Sequence, residues 1–197
     1  MPERLPDKDF RTDEGLMLAY KHGDAAAFDV LYGRWRHRLF RYIAHQCGQN
    51  GVNDELYQDI WLRVVNARQQ YEPSARFSTW LFRIAHNRLV DHWRASNRTP
   101  VVDIDFPDDE DFDLAAALPA PDAERPERVA ERKALAEQIV AAVELLPDVQ
   151  RETFLLAEEG EMTLEEIATL MGVGRETVKS RLRYAFGKLR QELSKWR

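Results

Sequence analysis

Cysteine is nearly absent from this 197-residue chain, which carries only Cys47. One thiol cannot build a disulfide framework or a cysteine-rich zinc site, so we expect a reducing compartment. The chain also lacks the run of about 18 apolar residues that a membrane span requires. Its first ten residues have no apolar core of the signal-peptide kind. These absences predict a cytoplasmic protein that is not inserted in a membrane.

Motifs of catalysis and metal binding are missing as well. The sequence has no nucleophile elbow, phosphate-binding loop or pattern of paired carboxylates. His86 and His92 are six residues apart and therefore do not share a helix face as an i, i+4 pair would. His37 and His45 can share a face but have no third ligand nearby in the sequence. We therefore predict that the protein is not an enzyme and holds neither a metal ion nor a cofactor.

Acidic residues outnumber basic ones and give a net charge of −6, but the charges are distributed unevenly. Residues 11–99 carry 13 Lys and Arg against 9 Asp and Glu, residues 100–126 carry 1 against 9, and residues 175–197 carry 8 against 2. Salt screens exposed charges beyond about 8–10 Å, so a phosphate responds to the local balance rather than to the net charge. The pattern predicts two basic nucleic-acid-binding surfaces separated by an acidic connector.

Apolar residues recur at steps of three and four in two regions, and no strand-like alternation is present. This spacing predicts an all-α fold of two small helical domains, residues 11–98 and 128–197. The intervening residues 99–127 contain five prolines and a run of acids, and they predict a flexible acidic linker. The linker is either a solvated spacer or a segment whose acids screen the basic surfaces until a partner displaces it.

The first domain is expected to contain three helices. Asp24 is a suitable N-cap for the first helix, and Asn53 or Asp54 opens the second. The third helix begins near Ser78 or Thr79.

The second domain carries the signals of a helix-turn-helix. Thr163 and Glu166 form a capping box at the start of a short helix, and Gly172 ends that helix where a left-handed residue is needed. Gly174 then permits a tight turn before a basic helix that begins near Glu176. The outer face of that helix presents Arg175, Thr177, Lys179, Ser180, Arg181, Arg183 and Tyr184. Arginine suits guanine edges and Lys, Ser and Thr suit phosphates, although an amphipathic hairpin with a solvated basic face is the simpler alternative.

Aromatic residues interleaved with arginines in FSTWLFRIAHNRLVDHWR (77–94) suggest contacts with single-stranded DNA. Each base offers a face for stacking, while guanidinium groups follow the backbone. Such contacts can hold a base that has been unstacked from a duplex. Trp80 is either a core residue or a base contact.

The chain resembles the bacterial RNA polymerase sigma factors of the extracytoplasmic-function type, within the sigma-70 family. LEEIATLMGVGRETVKSRLRYAFGKLRQEL (164–193) is similar to their helix-turn-helix, which binds the minus-thirty-five promoter element. Residues 77–94 resemble their melting and minus-ten segment, with the pattern F-x-T-W-L-x-x-I-A-x-N. NDELYQDIWLRV (53–64) resembles their polymerase-docking helix, and residues 23–43 match the beginning of the same domain. The resemblance covers residues 12–98 and 128–194.

The resemblance implies three sets of contact residues. Docking on the polymerase falls on Asp54, Glu55, Gln58, Asp59, Trp61 and Leu62. Minus-ten recognition and melting fall on Arg63, Tyr71, Arg76, Phe77, Trp80, Arg83, Asn87, Arg88, His92 and Arg94, with Asn87 and Tyr71 combining in a base-capture pocket. Minus-thirty-five recognition falls on the basic face described above. The implied partners are promoter DNA, core RNA polymerase through its largest-subunit coiled coil and its flap region, and an anti-sigma protein.

Other interpretations remain open from the sequence alone. A helix-turn-helix regulator would bind duplex DNA without being a polymerase subunit. A nucleic-acid-processing enzyme with a helix-turn-helix would need a catalytic constellation that the sequence lacks. Asn87 could be an ordinary helix-surface or core amide, and the docking helix could be a solvated acidic face over a buried stripe.

Overall fold

The computed structural model of the chain describes residues 9–47, 52–96, 135 and 138–195. All regular structure in these ranges is helical, so the predicted all-α class is confirmed. The described residues divide into two compact units, of which the first comprises residues 9–47, 52–96 and Glu158–Met162 and the second comprises the rest. The acidic linker predicted at 99–127 lies outside the described residues. Within the described ranges, no helix is long and apolar enough to cross a membrane.

The first unit contains the three predicted helices and a fourth that precedes them. They are α1 (Asp13–Lys21), α2 (Ala25–Cys47), α3 (Val52–Ala67) and α4 (Phe77–Ala95), with a short 3-10 helix (Arg68–Gln70) after α3. Asp24 caps α2 as predicted, since its Oδ1 accepts a 3.2 Å hydrogen bond from the amide of Ala27.

Helix α1 was not predicted from the sequence. Thr12 is its N-cap and accepts a 3.1 Å hydrogen bond from the amide of Gly15. Asp13 and Glu14 follow in the first turn, where negative charge favours the helix dipole. These are the signals that could have revealed the helix, but a helix of nine residues is marginal alone and needs packing partners. Leu16 and Met17, both fully buried, provide that packing.

Helix α4 begins at Phe77, slightly earlier than the predicted Ser78 or Thr79. The N-cap residue, Arg76, makes no capping hydrogen bond through its side chain. Instead, Glu14 of α1 accepts a 2.7 Å hydrogen bond from the amide of Phe77. The helix start is therefore set by a residue far away in the sequence, which local pattern cannot reveal.

Aromatic rings form the centre of the first unit. The ring of Phe82 lies 6.2 Å from that of Trp35 and 5.2 Å from that of Tyr42, in edge-to-face arrangements. The larger aliphatic side chains that are fully buried in α2, α3 and α4 are Leu31, Leu39, Ile43, Leu56, Ile60, Val64, Leu81 and Leu89. Because these stripes face inward, the polar faces of α3 and α4 are left on the surface.

The second unit contains helical residues 138–144 followed by α5 (Asp148–Glu158), α6 (Leu164–Met171) and α7 (Arg175–Ser194). Both hydrogen bonds of the predicted capping box are present between Thr163 and Glu166. Gly172 has φ of 67°, the left-handed conformation predicted at the end of α6. Helix α7 begins at Arg175, one residue before the predicted Glu176.

Helix α7 is held by a buried stripe at helical spacing. The stripe consists of Val178, Leu182, Ala185 and Leu189. At its flank the ring of Phe186 lies 5.4 Å from that of Phe154 on α5. The opposite, polar side of α7 is consequently turned outward.

Candidate nucleic-acid interface

The outward face of α4 carries the polar part of the predicted melting segment. Arg83, Asn87 and Arg94 are exposed, and Trp80 is half-buried. Residues three, four and seven apart lie on one side of a helix, so these four side chains follow one surface stripe. Asp91, which the sequence interpretation had not singled out, is also exposed on this stripe and makes its charge mixed. The exposed amide of Asn87 can both donate to and accept from a base edge.

The predicted base-capture pocket of Asn87 and Tyr71 is wrong. Tyr71 is only 1% exposed and Phe77 is fully buried, so neither ring is available for stacking on a base. The Tyr71 ring instead lies 5.1 Å from that of Trp80, and Phe77 lies 5.9 Å from Trp80. Asn87 is seven residues beyond Trp80, about 10 Å further along the helix axis. Tyr71 and Phe77 therefore support Trp80 from below, and Trp80 is the partly exposed aromatic ring of this face.

The surroundings of the Tyr71 hydroxyl group disfavour its ionised form. Burial raises its pKa to about 12, and the carboxylates of Glu14 and Asp13 add to the increase. The phenol is therefore neutral at physiological pH.

Asp59, on the predicted docking helix α3, pairs with two arginines that were predicted to contact DNA. Its carboxylate accepts hydrogen bonds from Arg88 on α4 and, at 3.3 Å, from Arg63 one turn along α3. Burial raises the pKa of Asp59, but the hydrogen bonds and charges of these two arginines outweigh it and lower the pKa overall. The Arg88 side chain is only 18% exposed. Asp59 thus bridges α3 and α4, an arrangement that sequence spacing did not suggest.

Two further predicted DNA contacts lie near the two ends of α4. Arg76 is exposed just before the helix and donates a hydrogen bond to the carbonyl oxygen of Glu161, and His92 is half-buried near the helix end.

The surface of α3 is acidic with one apolar side chain. Asp54, Glu55 and Gln58 are exposed, and Leu62 is 59% exposed. Trp61 was predicted as an apolar docking anchor, but it is only 6% exposed and that prediction is wrong. Its ring packs edge-on against aromatic residues of α2 and α3, namely Phe28, Tyr32 and Tyr57. Leu62 is therefore the apolar side chain of α3 that a partner can reach.

The seven residues of α7 predicted to contact duplex DNA differ in exposure, and the Nε of Arg181 is buried. Arg175 and Lys179 are exposed. The half-buried members are Thr177, Ser180, Arg181, Arg183 and Tyr184. The guanidinium group of Arg183 lies 5.2 Å from the ring centroid of Tyr184, a cation–π contact that orients both side chains.

Arg175, at the first position of α7, is held by two carboxylates. Its Nε donates a 2.5 Å hydrogen bond to Glu165 on α6, and its Nη1 donates a 3.1 Å hydrogen bond to Glu176. The hydrogen bond to Arg175 lowers the pKa of the Glu165 carboxyl group. Glu165 thus ties the two helices of the helix-turn-helix together, a role not predicted from the sequence.

Within the described ranges, no three His, Cys, Asp or Glu side chains gather closely enough to hold a metal ion.

Comparison with known proteins gives consistent matches over both units. The family models that match are Sigma-70 region 2, over residues 31–99, and Sigma-70, region 4, over residues 142–191. The chain is 28% identical over 172 residues to the ECF RNA polymerase sigma-E factor of Escherichia coli K12, covering 87% of this chain and 88% of that protein. It is 30% identical over 171 residues to the RNA polymerase sigma-H factor of Pseudomonas aeruginosa, covering 86% and 88%.

Two solved structures share the fold. CnrH, in complex with the cytosolic domain of CnrY, has a TM-score of 0.60 at 22% identity and matches over 92% of this chain and 97% of that chain. The sigma factor RpoE of Bartonella quintana, in complex with the anti-sigma factor NepR, has a TM-score of 0.59 at 19% identity over 85% and 96%.

Proposed function

This chain belongs to the sigma-70 family and is a sigma factor of the extracytoplasmic-function type, and we propose that the surfaces described above bind core RNA polymerase, select promoters and open them. The observation that carries the assignment is the pair of exposed faces, one with Asn87 among arginines on α4 and one of basic residues on α7. The polymerase supplies the chemistry of transcription, so no catalytic role is assigned to the chain. We place its action in the cytoplasm, where bacterial polymerase works.

We assign polymerase docking to the exposed side of α3. Asp54, Glu55 and Gln58 offer acids and an amide around the apolar side chain of Leu62. Such a surface suits a basic helical partner such as the coiled coil of the largest polymerase subunit, because charge steers the encounter and an apolar anchor provides affinity. A further contact with the polymerase flap region follows from the family resemblance alone.

Replacing Leu62 with alanine is expected to weaken core binding by about ten-fold, because the substitution removes the apolar anchor of an otherwise polar surface. The affinity of purified protein for fluorescently labelled core polymerase measures the effect. Asp29→Ala on α2, also at an exposed position, serves as control and should bind core as the wild type does. Equal affinities of wild type and Leu62→Ala would remove α3 from the docking surface.

We assign promoter opening to the outer face of α4. Trp80 provides the aromatic surface beside the separated strand, and Asn87 reads the edge of an unstacked base. Arg83 and Arg94 follow the strand backbone on the same stripe, and Arg76 follows it at the helix start.

We assign recognition of the minus-thirty-five element to α7. The first residues of a recognition helix enter the major groove, so Arg175 and Lys179 are well placed for base edges and phosphates. Once α4 or α7 is bound to its promoter element, the other helix meets its own element at a high effective concentration. Two weak contacts, one to the minus-ten and one to the minus-thirty-five element, can therefore select a promoter together.

Replacing both Arg181 and Arg183 with alanine is expected to weaken promoter binding and to reduce its dependence on salt. Each lost phosphate contact lowers the slope of log K against log salt by about 0.9, so the double variant should lose about 1.8. Titrating holoenzyme on promoter DNA at several salt concentrations measures the slope. Lys195→Ala, just beyond the end of α7, should leave the slope at its wild-type value. If the double variant did the same, Arg181 and Arg183 would not contact DNA phosphates.

We also propose control by an anti-sigma protein, since the Bartonella quintana sigma factor RpoE was solved in complex with the anti-sigma factor NepR. Tagged chain purified from its host without added polymerase should retain such a partner.

Run-off transcription tests the proposed function directly. Bacterial core polymerase is incubated with a pool of host promoter fragments, with and without this protein. Specific transcripts that appear only with the protein support the assignment and identify the promoter. Retention of duplex DNA without any binding to core would contradict it and favour a helix-turn-helix regulator that works without polymerase.

A further inference from the structure

The loop between the 3-10 helix and α4 is anchored at both ends, and Arg76 within it also donates a hydrogen bond to the carbonyl oxygen of Glu161. Tyr71 and Phe77 are buried, whereas residues 72–76 between them are all exposed. The rings of the two end residues lie 6.4 Å apart and pack against each other. The loop thus projects five exposed residues from a closed base, directly beside Trp80.

Helix α1 holds the first end of this loop. The Nζ of Lys21 donates a 2.9 Å hydrogen bond to the carbonyl oxygen of Tyr71. In return, Nε2 of Gln69 donates a 3.2 Å hydrogen bond to the carbonyl oxygen of Lys21. The guanidinium group of Arg68 lies 5.6 Å from the ring centroid of Tyr20, which adds a cation–π contact between α1 and the 3-10 helix.

Helix α1 also holds the second end. The Glu14 carboxylate accepts the 2.7 Å hydrogen bond from the amide of Phe77 and thereby takes the place of the missing side-chain cap on α4. A carboxylate at a helix N-terminus is favoured by the helix dipole as well as by the hydrogen bond itself. Glu14 and Lys21 are seven residues apart on α1 and therefore lie on the same side of that helix.

We propose that α1 is a clamp that fixes the shape of residues 72–76 so that this loop, together with Trp80, receives an unstacked base from the melted promoter strand. Glu14 and Lys21 are positioning residues that do not touch DNA and act through the loop. The inference rests on the proposed function and assigns a role to a helix that precedes residues 31–99, the part matched by the region 2 family model. Loop ordering before binding lowers the entropy cost of capture, which is how a clamp away from the DNA increases affinity.

The test uses full-length protein in holoenzyme and a fork-junction probe, which is duplex upstream and single-stranded over the minus-ten element of a promoter found by run-off transcription. Glu14→Ala should lower the affinity for this probe by about ten-fold, because the helix cap and one end of the loop are lost. Binding to core polymerase should be unchanged. Glu14→Gln keeps an acceptor oxygen and should restore most of the affinity, and Lys21→Met should reproduce the loss from the other end of the loop.

Asp24→Ala is the matched control, since it removes a carboxylate cap of the same kind from α2 without touching the loop. It should reduce thermal stability comparably and leave fork-junction affinity as in the wild type. The clamp is refuted if Glu14→Ala and Lys21→Met bind the probe as wild type does, or if Asp24→Ala loses as much affinity as they do. A wild-type protein that fails to direct core polymerase to any promoter would overturn the proposed function itself, a result distinct from either of these.

Discussion

Replacing Phe82 with alanine is expected to lower the free energy of unfolding of the first unit by about 3–5 kcal/mol, a large share of the roughly 5–15 kcal/mol that stabilises a typical domain. The side chain is fully buried, and its ring contacts those of Trp35 and Tyr42. Removing it creates a cavity that its rigid aromatic neighbours cannot fill.

Tryptophan fluorescence during urea unfolding measures this effect, because four of the five tryptophans lie between residues 35 and 93. Hydrogen exchange of α6 and α7, followed separately, should be unchanged, since the buried stripe of α7 belongs to the second unit. Arg83→Ala, next in sequence but exposed, is the control and should change the unfolding midpoint little. A matching change in the hydrogen exchange of α6 and α7 would show that the two units do not unfold independently.

Replacing Asn87 with alanine is expected to reduce promoter opening by about 10- to 100-fold, since loss of a bidentate base contact removes about 1–3 kcal/mol. The side chain is exposed on α4, whereas docking is assigned to α3, so binding to core polymerase should stay at the wild-type level. Permanganate reactivity of thymines in the minus-ten region measures opening directly.

Asp91→Ala is the control for this experiment, because Asp91 is exposed one turn further along the same stripe. Its removal takes away a negative charge near the DNA backbone, so opening should be equal to or greater than that of the wild type. Normal permanganate reactivity with Asn87→Ala would show that this amide does not read a base.

Buried aromatic residues mark the limit of what the sequence predicted about the site. Tyr71, Phe77 and Trp61 each fell within a motif associated with partner binding, and each belongs to the core. An aromatic residue at helical spacing suits either a base or a core, and only the positions of neighbouring helices distinguish the two. Leu62, which is exposed, follows Trp61 and takes its role as the apolar docking side chain. Trp80, which is partly exposed, packs against Tyr71 and Phe77 and takes their role as the aromatic ring of the melting face.

The sequence by itself determined the longer helices of the first unit and the helix-turn-helix, because their signals act over a few residues, whereas the short helix α1 was recognised only in the structure. The capping box from Thr163 to Glu166 and the left-handed Gly172 appear where the pattern placed them. The tertiary structure alone decided the arrangement of the melting face. Glu14 caps Phe77 across 63 positions of sequence, and Asp59 pairs with Arg88 across 29. Hydrogen bonds over such separations form only when packing of apolar stripes brings the helices together, and no local periodicity encodes which polar groups then meet.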